Sequence, residues 1–368
     1  MLEFSMPLVY DYDFIDKIAG MNMTLKKSKI TNFYSCVPLN SSDRSYFEQD
    51  RVTSDIVGCF DDLNKYIQYA FKKGFTFTYL MNSVRGLLPN EFKELQPEID
   101  AFIDKLLING ITDVRVTNTM VIGYLIQNHK HLNVHCSTSQ EYSSVMQYKN
   151  LLSQYPEIKG IVPSYDLNKN FLFLTSLREM CENEIELMVD EGCLPECPFR
   201  NHHNLINYDR ANVETENAIF YNRFFNDRCA AHYGENFWTN YCLSKTIAPW
   251  EVEIYAQKYG IRNFKLVGRN TLEPPAAILD RTSAYLHGIE DASCLDNYPV
   301  HKFNHFIREM DGLARVKYSE IKSLLPKLEY FEKNGHLCKS ACGISCTYCL
   351  DCAEAIAEKT GFNAVEQE

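Results

Sequence analysis

The chain has 368 residues, of which 45% are hydrophobic and 23% charged, a balance typical of one large globular domain or two ordinary ones and not of long disordered segments. Its formal net charge of −11 disfavours a broad nucleic-acid surface. We therefore expect a small-molecule or peptide substrate. A nucleic-acid substrate and a partner subunit stay open as alternatives. No signal peptide is evident at the start, and no run of about 18 apolar residues could span a membrane. We therefore expect a cytoplasmic protein whose 14 cysteines serve metal binding or catalysis rather than a disulfide framework.

Apolar, β-branched segments alternate with amphipathic segments through most of the chain. The pattern predicts strands over residues 6–12, 28–36, 75–83, 111–118, 132–139, 158–164, 184–192 and 261–269. A segment with helical spacing follows each strand, and the helices predicted over 61–74 and 91–110 both end at glycine. Eight strand–helix pairs predict a TIM-like (β/α)8 barrel rather than an open doubly wound sheet.

Two segments do not fit a minimal barrel. Residues 193–246 form an irregular, cysteine-containing excursion after the seventh strand, and long irregular connections in compact domains are usually functional. The residues beyond about 290 continue as helical segments with a second group of cysteines. We therefore predict a barrel over 1–290 and a helical, cysteine-rich C-terminal extension over 291–368.

Charged and polar residues near the predicted strand ends are candidates for catalysis, because barrels of this type place their active sites there. Lys265 lies between two apolar neighbours, so its charge is expected to point into the barrel mouth or to pair with a carboxylate. We predict Lys265 as a catalytic residue and Arg269 as the second cation. His135 is the third candidate, for which a hydrogen-bonded core role and a site role are equally open.

Other polar residues near the strand ends divide into two groups. Asn82, Ser137 and Arg44 are assigned to substrate binding. Asn118, Ser139 and Ser164 are interpreted as helix N-caps, as a strand-to-helix turn demands.

The excursion supplies four cysteines that could hold one metal centre. Cys193-x3-Cys197 begins at the end of the seventh strand, and Cys229 and Cys242 follow after gaps of 31 and 12 residues. Four thiolates hold either an iron–sulfur cluster or structural zinc, and ligands this spread favour a [4Fe–4S] cluster over the tight pairs of zinc sites. That Cys229 or Cys242 is simply a small buried hydrophobe stays open.

Three blocks of the sequence resemble a known family. The segments "NVHCSTSQEYSSVMQY" (133–148), "EIELMVDEGCLPECPFRNHHN" (184–204) and "YGIRNFKLVGRN" (259–270) are similar to blocks of the collagenase-like peptidase family, unassigned peptidases family 32. The segment "FTFTYLMNS" (75–83) resembles a strand of its clostridial-type subgroup, which carries an iron–sulfur cluster and a cysteine-rich tail. The resemblance covers roughly residues 28–290 in order.

The resemblance implies a barrel fold and a cysteine-bound iron–sulfur cluster. Cys193 and Cys197 match the first two cluster cysteines, with Cys229 and Cys242 as the third and fourth, and residues 265–269 match the K-(I/L)-x-G-R block. Characterised relatives take part in oxygen-independent hydroxylation of ubiquinone precursors or of tRNA and ribosomal RNA bases. A few members carry a peptidase label.

Three functions follow from these observations. The first is an iron–sulfur oxidoreductase of the hydroxylase type, acting on a small aromatic, a nucleobase or a peptide. The second is a peptidase, although no HExxH or G-x-S-x-G motif is present and the adjacent His135 and Cys136 point to opposite strand faces. The third is a non-catalytic iron–sulfur or zinc partner subunit. Ala248 and Trp250 replace the Arg and Glu of the family's "IRPED" block, which leaves the substrate open.

The tail "HLCKSACGISCTYCLDC" (336–352) contains the spacing of a radical-SAM loop, but it follows the eighth strand, whereas in that superfamily the loop follows the first. Helices predicted over 315–335 and 353–361 flank it, so we expect a compact metal-binding hairpin. The predicted ligands of this second site are Cys338, Cys342, Cys346, Cys349 and Cys352. A second [4Fe–4S] cluster and structural zinc are the two alternatives.

Overall fold

The structure is a computed structural model that describes residues 1–36, 60–84, 87–191, 193–202, 237–267, 275–289 and 316–361. Among these residues no helix is both long enough and apolar enough to cross a lipid bilayer. Three predicted site residues, Arg44, Cys229 and Arg269, lie outside the described residues.

Eight parallel strands close into a barrel in chain order, with β8 paired to β1. The strands β1 to β8 are Leu2–Pro7, Ser28–Ser35, Thr76–Met81, Asp113–Val116, Asn133–Cys136, Gly160–Ile161, Glu184–Met188 and Asn263–Lys265. This confirms the predicted (β/α)8 barrel.

Helices surround the barrel and continue into the extension. The helices α1 to α6, which follow β1 to β6, are Tyr12–Thr24, Phe60–Lys72, Pro89–Ile108, Thr119–Asn128, Val145–Gln154 and Phe171–Met180. The helices α7 to α9 are Phe237–Leu243, Val252–Tyr259 and Pro275–His287, and α10 to α12 of the extension are Tyr318–Ile321, Leu328–Asn334 and Tyr348–Thr360.

The first strand lies earlier than the sequence pattern predicts, over residues 2–7 instead of 6–12. Phe4 and Met6 are fully buried, and the Phe4 ring packs against Phe264 on the outer wall with a centroid separation of 5.5 Å. The observed strand ends before residue 12 because Asp11 caps α1. The Asp11 side chain accepts a hydrogen bond from the Asp13 amide at 2.9 Å.

The tail also differs from the prediction. The single helix expected over 315–335 is broken into α10 and α11, because Pro326 cannot continue the backbone hydrogen bonding of a helix. The last helix begins at Tyr348 rather than at 353. Cys349 and Cys352 therefore lie on the first turns of α12 and not in a turn between helices.

The extension packs against the barrel through α12, which contacts α7, and through a close approach at Gly335. A Cβ atom on Gly335 would lie 2.5 Å from the carbonyl oxygen of Lys169, just before α6. Because that neighbour is backbone, it cannot move aside cheaply, and the contact requires glycine.

We predict that Gly335→Ala loosens the extension and lowers the free energy of unfolding by about 1–3 kcal/mol, since the methyl group overpacks the contact. Chemical denaturation and limited proteolysis of the extension measure the effect. Gly20→Ala in α1 is the matched control, because a Cβ at Gly20 meets no atom within 4 Å. Equal stability of the two variants would contradict the close packing at Gly335.

Candidate active site at the barrel mouth

A buried ion pair crosses the interior of the barrel. Arg115 Nη2 on β4 lies 2.6 Å from Glu186 Oε2 on β7, and Ser5 Oγ on β1 donates a hydrogen bond to Glu186 Oε1 at 2.5 Å. Neither contact joins neighbouring strands, so both must cross the interior. The interior of this barrel is therefore charged and polar at its centre, where many barrels pack branched apolar side chains.

The carboxylate of Glu186 is kept ionised by its surroundings. Burial raises its pKa, but the charges of Arg115 and Lys265 and the hydrogen bond from Ser5 outweigh burial and hold the pKa below its ordinary value. Within the described residues, Nε and Nη1 of Arg115 have no hydrogen-bond partner, although the side chain is buried. Those donors need a partner, which a bound molecule or water would supply.

Lys265 faces the same interior, as the sequence predicts for a charge in an apolar strand. Its Nζ lies 4.2 Å from the centroid of the Tyr34 ring, which reaches across from β2. The Tyr34 hydroxyl donates to the Leu266 carbonyl at 2.5 Å and so holds the ring in place. The Lys265 ammonium group therefore lies over the Tyr34 ring and also interacts electrostatically with the Glu186 carboxylate.

His135 also faces inward, but it is hydrogen-bonded towards the opposite end of the barrel. Its Nε2 lies 3.2 Å from Oδ1 of Asp113, the first residue of β4. Burial raises the pKa of Asp113, but His135 outweighs burial and lowers it. The ring lies against Gly160, where a Cβ would approach Nδ1 to 2.5 Å. The pair thus lies towards the N-terminal end of the barrel, which in this fold is associated with stability.

Two polar side chains at the mouth lack partners. Asn82 Oδ1 and Thr117 Oγ1 are buried at the ends of β3 and β4 and have no hydrogen-bond partner among the described residues. Ser137, in contrast, is used locally, because its Oγ accepts from the Ser139 amide at 3.3 Å. Asn82 Oδ1 and Thr117 Oγ1 are therefore two of the polar atoms that a substrate could contact.

Cys193 lies over the C-terminal ends of three adjacent strands. Val162, Tyr165 and Met188 form a small apolar cluster, and Cys193 and Val267 pack against it. We call these five residues the mouth cluster. Because Val162, Met188 and Val267 lie at the ends of β6, β7 and β8, the thiol is placed at the end of the barrel where such folds carry out chemistry.

An arginine fixes the loop that carries this thiol. Arg200 Nη1 lies 2.5 Å from Asp166 Oδ2, Nη2 donates to the Leu194 carbonyl at 2.8 Å, and the guanidinium covers the Tyr165 ring at 4.5 Å. Burial lowers the pKa of Arg200, but Tyr165, Asp166 and Cys193 outweigh burial and raise it. Cys193 and Arg200 therefore interact electrostatically, while Asp166 forms the close ion pair with the same guanidinium.

The second cysteine of the loop, Cys197, is held by the same arginine. Its carbonyl oxygen accepts from the Arg200 backbone amide at 3.2 Å, and the amide of Cys193 donates to Glu191 Oε1 at 3.1 Å. Both thiols are partly exposed. The structure thus brings Cys193 and Cys197 onto one short loop at the mouth.

Cys242 has different neighbours from Cys193. It is buried on α7, burial raises its pKa well above the ordinary value, and the charges that act on it are those of Cys352 and Cys349. Among the described residues, no three His, Cys, Asp or Glu side chains stand close enough together to hold a metal ion. The described residues therefore do not assemble the four predicted cluster ligands.

A cavity of about 800 Å³ lies away from the mouth, between the outer helices and the extension. Its lining includes Trp250, Phe331 and the buried ion pair between Lys169 Nζ and Glu251 Oε2, which are 2.6 Å apart. Neither Cys193 nor the interior charges line it.

A closed (β/α)8 barrel with a cysteine loop and unpaired polar atoms at its C-terminal mouth has the arrangement of a barrel enzyme. No known family profile matches the chain. It is 22% identical over 349 residues, 92% of each chain, to a protein of Methanocaldococcus jannaschii named "Uncharacterized protease MJ1657". This similarity supports the coarse part of the family resemblance, a protease-like relative, and does not extend to the iron–sulfur subgroup.

Solved structures show only weak overall likeness. The U32 peptidase Mk0906 has a TM-score of 0.42 at 12% identity, covering 57% of this chain and 77% of that one. The putative copper homeostasis protein CutC from Streptococcus agalactiae has a TM-score of 0.39 at 9% identity, covering 73% and 100%. The barrel fold is defined by the strand order of the chain itself.

Sequence reasoning missed Arg115, Glu186, Asp166 and Arg200. The first two carry the same signal as Lys265, a charge inside the apolar segments "DVRV" and "EIELM". Arg200 and Asp166 carry no such signal, because their partners lie 34 residues apart in the chain.

We predict that Arg115→Met lowers the free energy of unfolding by about 3–5 kcal/mol, because it leaves the Glu186 charge buried without its partner. The double variant Arg115→Met/Glu186→Leu should recover most of that loss, since it removes both charges. Lys65→Met is the control, because its pair with Asp62 is exposed and worth at most about 1 kcal/mol. A double variant as unstable as the single one would contradict the cross-barrel pair.

Proposed function

We propose that the protein is an enzyme that acts at the barrel mouth through the Cys193 thiolate, and that its reaction is hydrolysis of a peptide bond. The observation that carries the proposal is the position of Cys193, packed within the mouth cluster near the partly buried Arg200. A cation next to a partly exposed thiol favours the thiolate, which is the nucleophilic form. The protease name of the Methanocaldococcus relative supports the choice of reaction.

The proposed hydrolysis proceeds in two steps, acylation of Cys193 and release of the acid by water. The Cys193 sulfur adds to the carbonyl carbon of the substrate, the C–N bond breaks, and the amine leaves with a proton from solvent. Water then cleaves the thioester, releasing the acid and restoring the thiol. Asn82 Oδ1 and Thr117 Oγ1 are the polar atoms available to orient the substrate backbone.

Other nucleophiles among the described residues fit less well. Burial raises the pKa of Cys136 to about 12, and the residue faces the outer helices. His135 lies on the opposite face of the same strand and is bonded to Asp113. This strand therefore provides no nucleophile and base pair.

The second candidate is the iron–sulfur oxidoreductase, and the observation that favours it is the presence of Cys193 and Cys197 on one loop. The fit of a [4Fe–4S] cluster is incomplete within the described residues. Cys242 is packed beside Cys349 and Cys352, and Cys229 lies outside the described residues. We derive no catalytic step through a cluster.

We expect the full chain, purified without oxygen, to cleave a labelled peptide library, and Cys193→Ser to lower the rate on the order of a thousandfold or more, because the nucleophile is lost. Cys181→Ser is the matched control: this thiol lies at the end of α6 and donates to the Leu177 carbonyl at 3.3 Å. Mass spectrometry of the products and iron and sulfide analysis of the same samples are the measurements.

Two results would contradict the proposal. One is cleavage that Cys193→Ser leaves unchanged. The other is stoichiometric iron and sulfide that Cys193→Ser and Cys197→Ser abolish in a protein without peptidase activity, which would favour the oxidoreductase.

A further inference from the structure

The tail folds into a tight hairpin that brings two cysteines side by side. Cys342 and Cys346 form a parallel β-bridge, and the Gly343 amide donates to the Cys346 carbonyl at 3.0 Å. Gly343 has a φ of 73°, a left-handed conformation that favours glycine. The Cys346 amide donates to the Ala341 carbonyl at 3.0 Å, which closes the turn. The backbone alone therefore holds these two thiols on one small loop.

Two more thiols flank the hairpin. Cys338 lies in the short 3-10 helix Gly335–Lys339, where its Sγ is 3.6 Å from Lys245 Nζ. Cys349 is buried on the first turn of α12, the end of a helix that favours negative charge. The Tyr330 hydroxyl lies 3.2 Å from Cys346 Sγ. A cation, a helix N-terminus and a hydroxyl thus approach this group of sulfur atoms.

The four sulfur atoms act on one another electrostatically. The charges of Cys338 and Cys342 act on Cys349, and those of Cys338 and Cys346 act on Cys342, with Lys245 opposing them in both cases. A bound metal would add positive charge to this group of sulfur atoms, beside that of Lys245.

We infer that Cys338, Cys342, Cys346 and Cys349 bind one tetrathiolate metal centre, either Zn²⁺ or an iron–sulfur cluster. Both centres are held by four cysteine thiolates. The site is separate from the mouth cluster and does not depend on the proposed hydrolysis.

The fifth cysteine of the tail and Cys242 are assigned to packing instead. The Tyr348 hydroxyl is hydrogen-bonded to Cys352, and the Tyr348 ring stacks on Tyr330 at 3.7 Å. Cys242 is buried on α7, the helix against which α12 packs. We therefore leave these two thiols out of the proposed ligand set, which combines Cys338 and Cys342 with Cys346 and Cys349.

The sulfur atoms do not meet at a single point as they stand, so metal binding must draw the hairpin closed. Binding would then tighten the hairpin and strengthen its contact with the barrel at Lys245, since metal affinity is coupled to folding in such small sites. The centre would act as a clamp between the extension and the barrel.

The test uses the full chain in a Cys193→Ser/Cys197→Ser background, which removes the mouth thiols. Protein purified without oxygen is assayed for zinc, iron and acid-labile sulfide, and metal-free protein is titrated with Co²⁺ alone. We expect one centre per chain, with Cys346→Ser and Cys349→Ser losing it and Cys352→Ser and Cys242→Ser retaining it. Zinc without sulfide identifies a zinc site, and iron with sulfide identifies a cluster.

The titration keeps the test decisive if a serine variant folds poorly, because tetrathiolate Co²⁺ gives intense sulfur-to-metal absorption in the unaltered tail. Absence of both bound metal and that absorption would overturn the inference. Loss of the centre in Cys352→Ser, with circular dichroism unchanged, would overturn the assignment of the four ligands.

Discussion

The cross-barrel ion pair between Arg115 and Glu186 is the constraint on which the interior of the barrel depends. Two buried charges need each other, because either one alone in a low-dielectric interior is strongly unfavourable. The pair fixes the spacing of β4 and β7 across the interior, and Ser5 ties β1 to the same carboxylate. The barrel therefore closes around polar contacts whose geometry is specific, in place of apolar packing that tolerates rearrangement.

The mouth is built on this interior. Lys265 interacts electrostatically with the Glu186 carboxylate. Val267, two residues further along the chain, belongs to the mouth cluster together with Cys193. The Arg200 guanidinium packs on the Tyr165 ring of that cluster and donates a hydrogen bond to the Leu194 carbonyl of the cysteine loop. The Cys193 thiol therefore packs in an apolar cluster with Arg200 nearby, and this is the setting in which we propose a reactive cysteine.

Much of the fold follows from local pattern, whereas the site follows only in part. Alternating strand and helix periodicity is enough to predict eight strands, because each strand's outer face must be apolar to pack against a helix. The sequence predicts that Lys265 faces the interior, because a charge on the outer face of the strand would be buried against apolar helices. The partners of Arg115 and Arg200 could not be predicted, because they come from distant parts of the chain and depend on barrel closure. The position of Cys242 depends likewise on how α7 meets α12, which spacing does not encode.

The pH dependence of alkylation at Cys193 tests the central claim most directly. Iodoacetamide labelling of the full chain, with each cysteine quantified by mass spectrometry, gives the rate of alkylation at Cys193 from pH 5 to 10. We expect Cys193 to react at a lower pH than Cys181, and Arg200→Met to move its profile to higher pH, since the cation that favours the thiolate is gone. A profile at Cys193 that matches Cys181 and is unchanged in Arg200→Met would contradict the account.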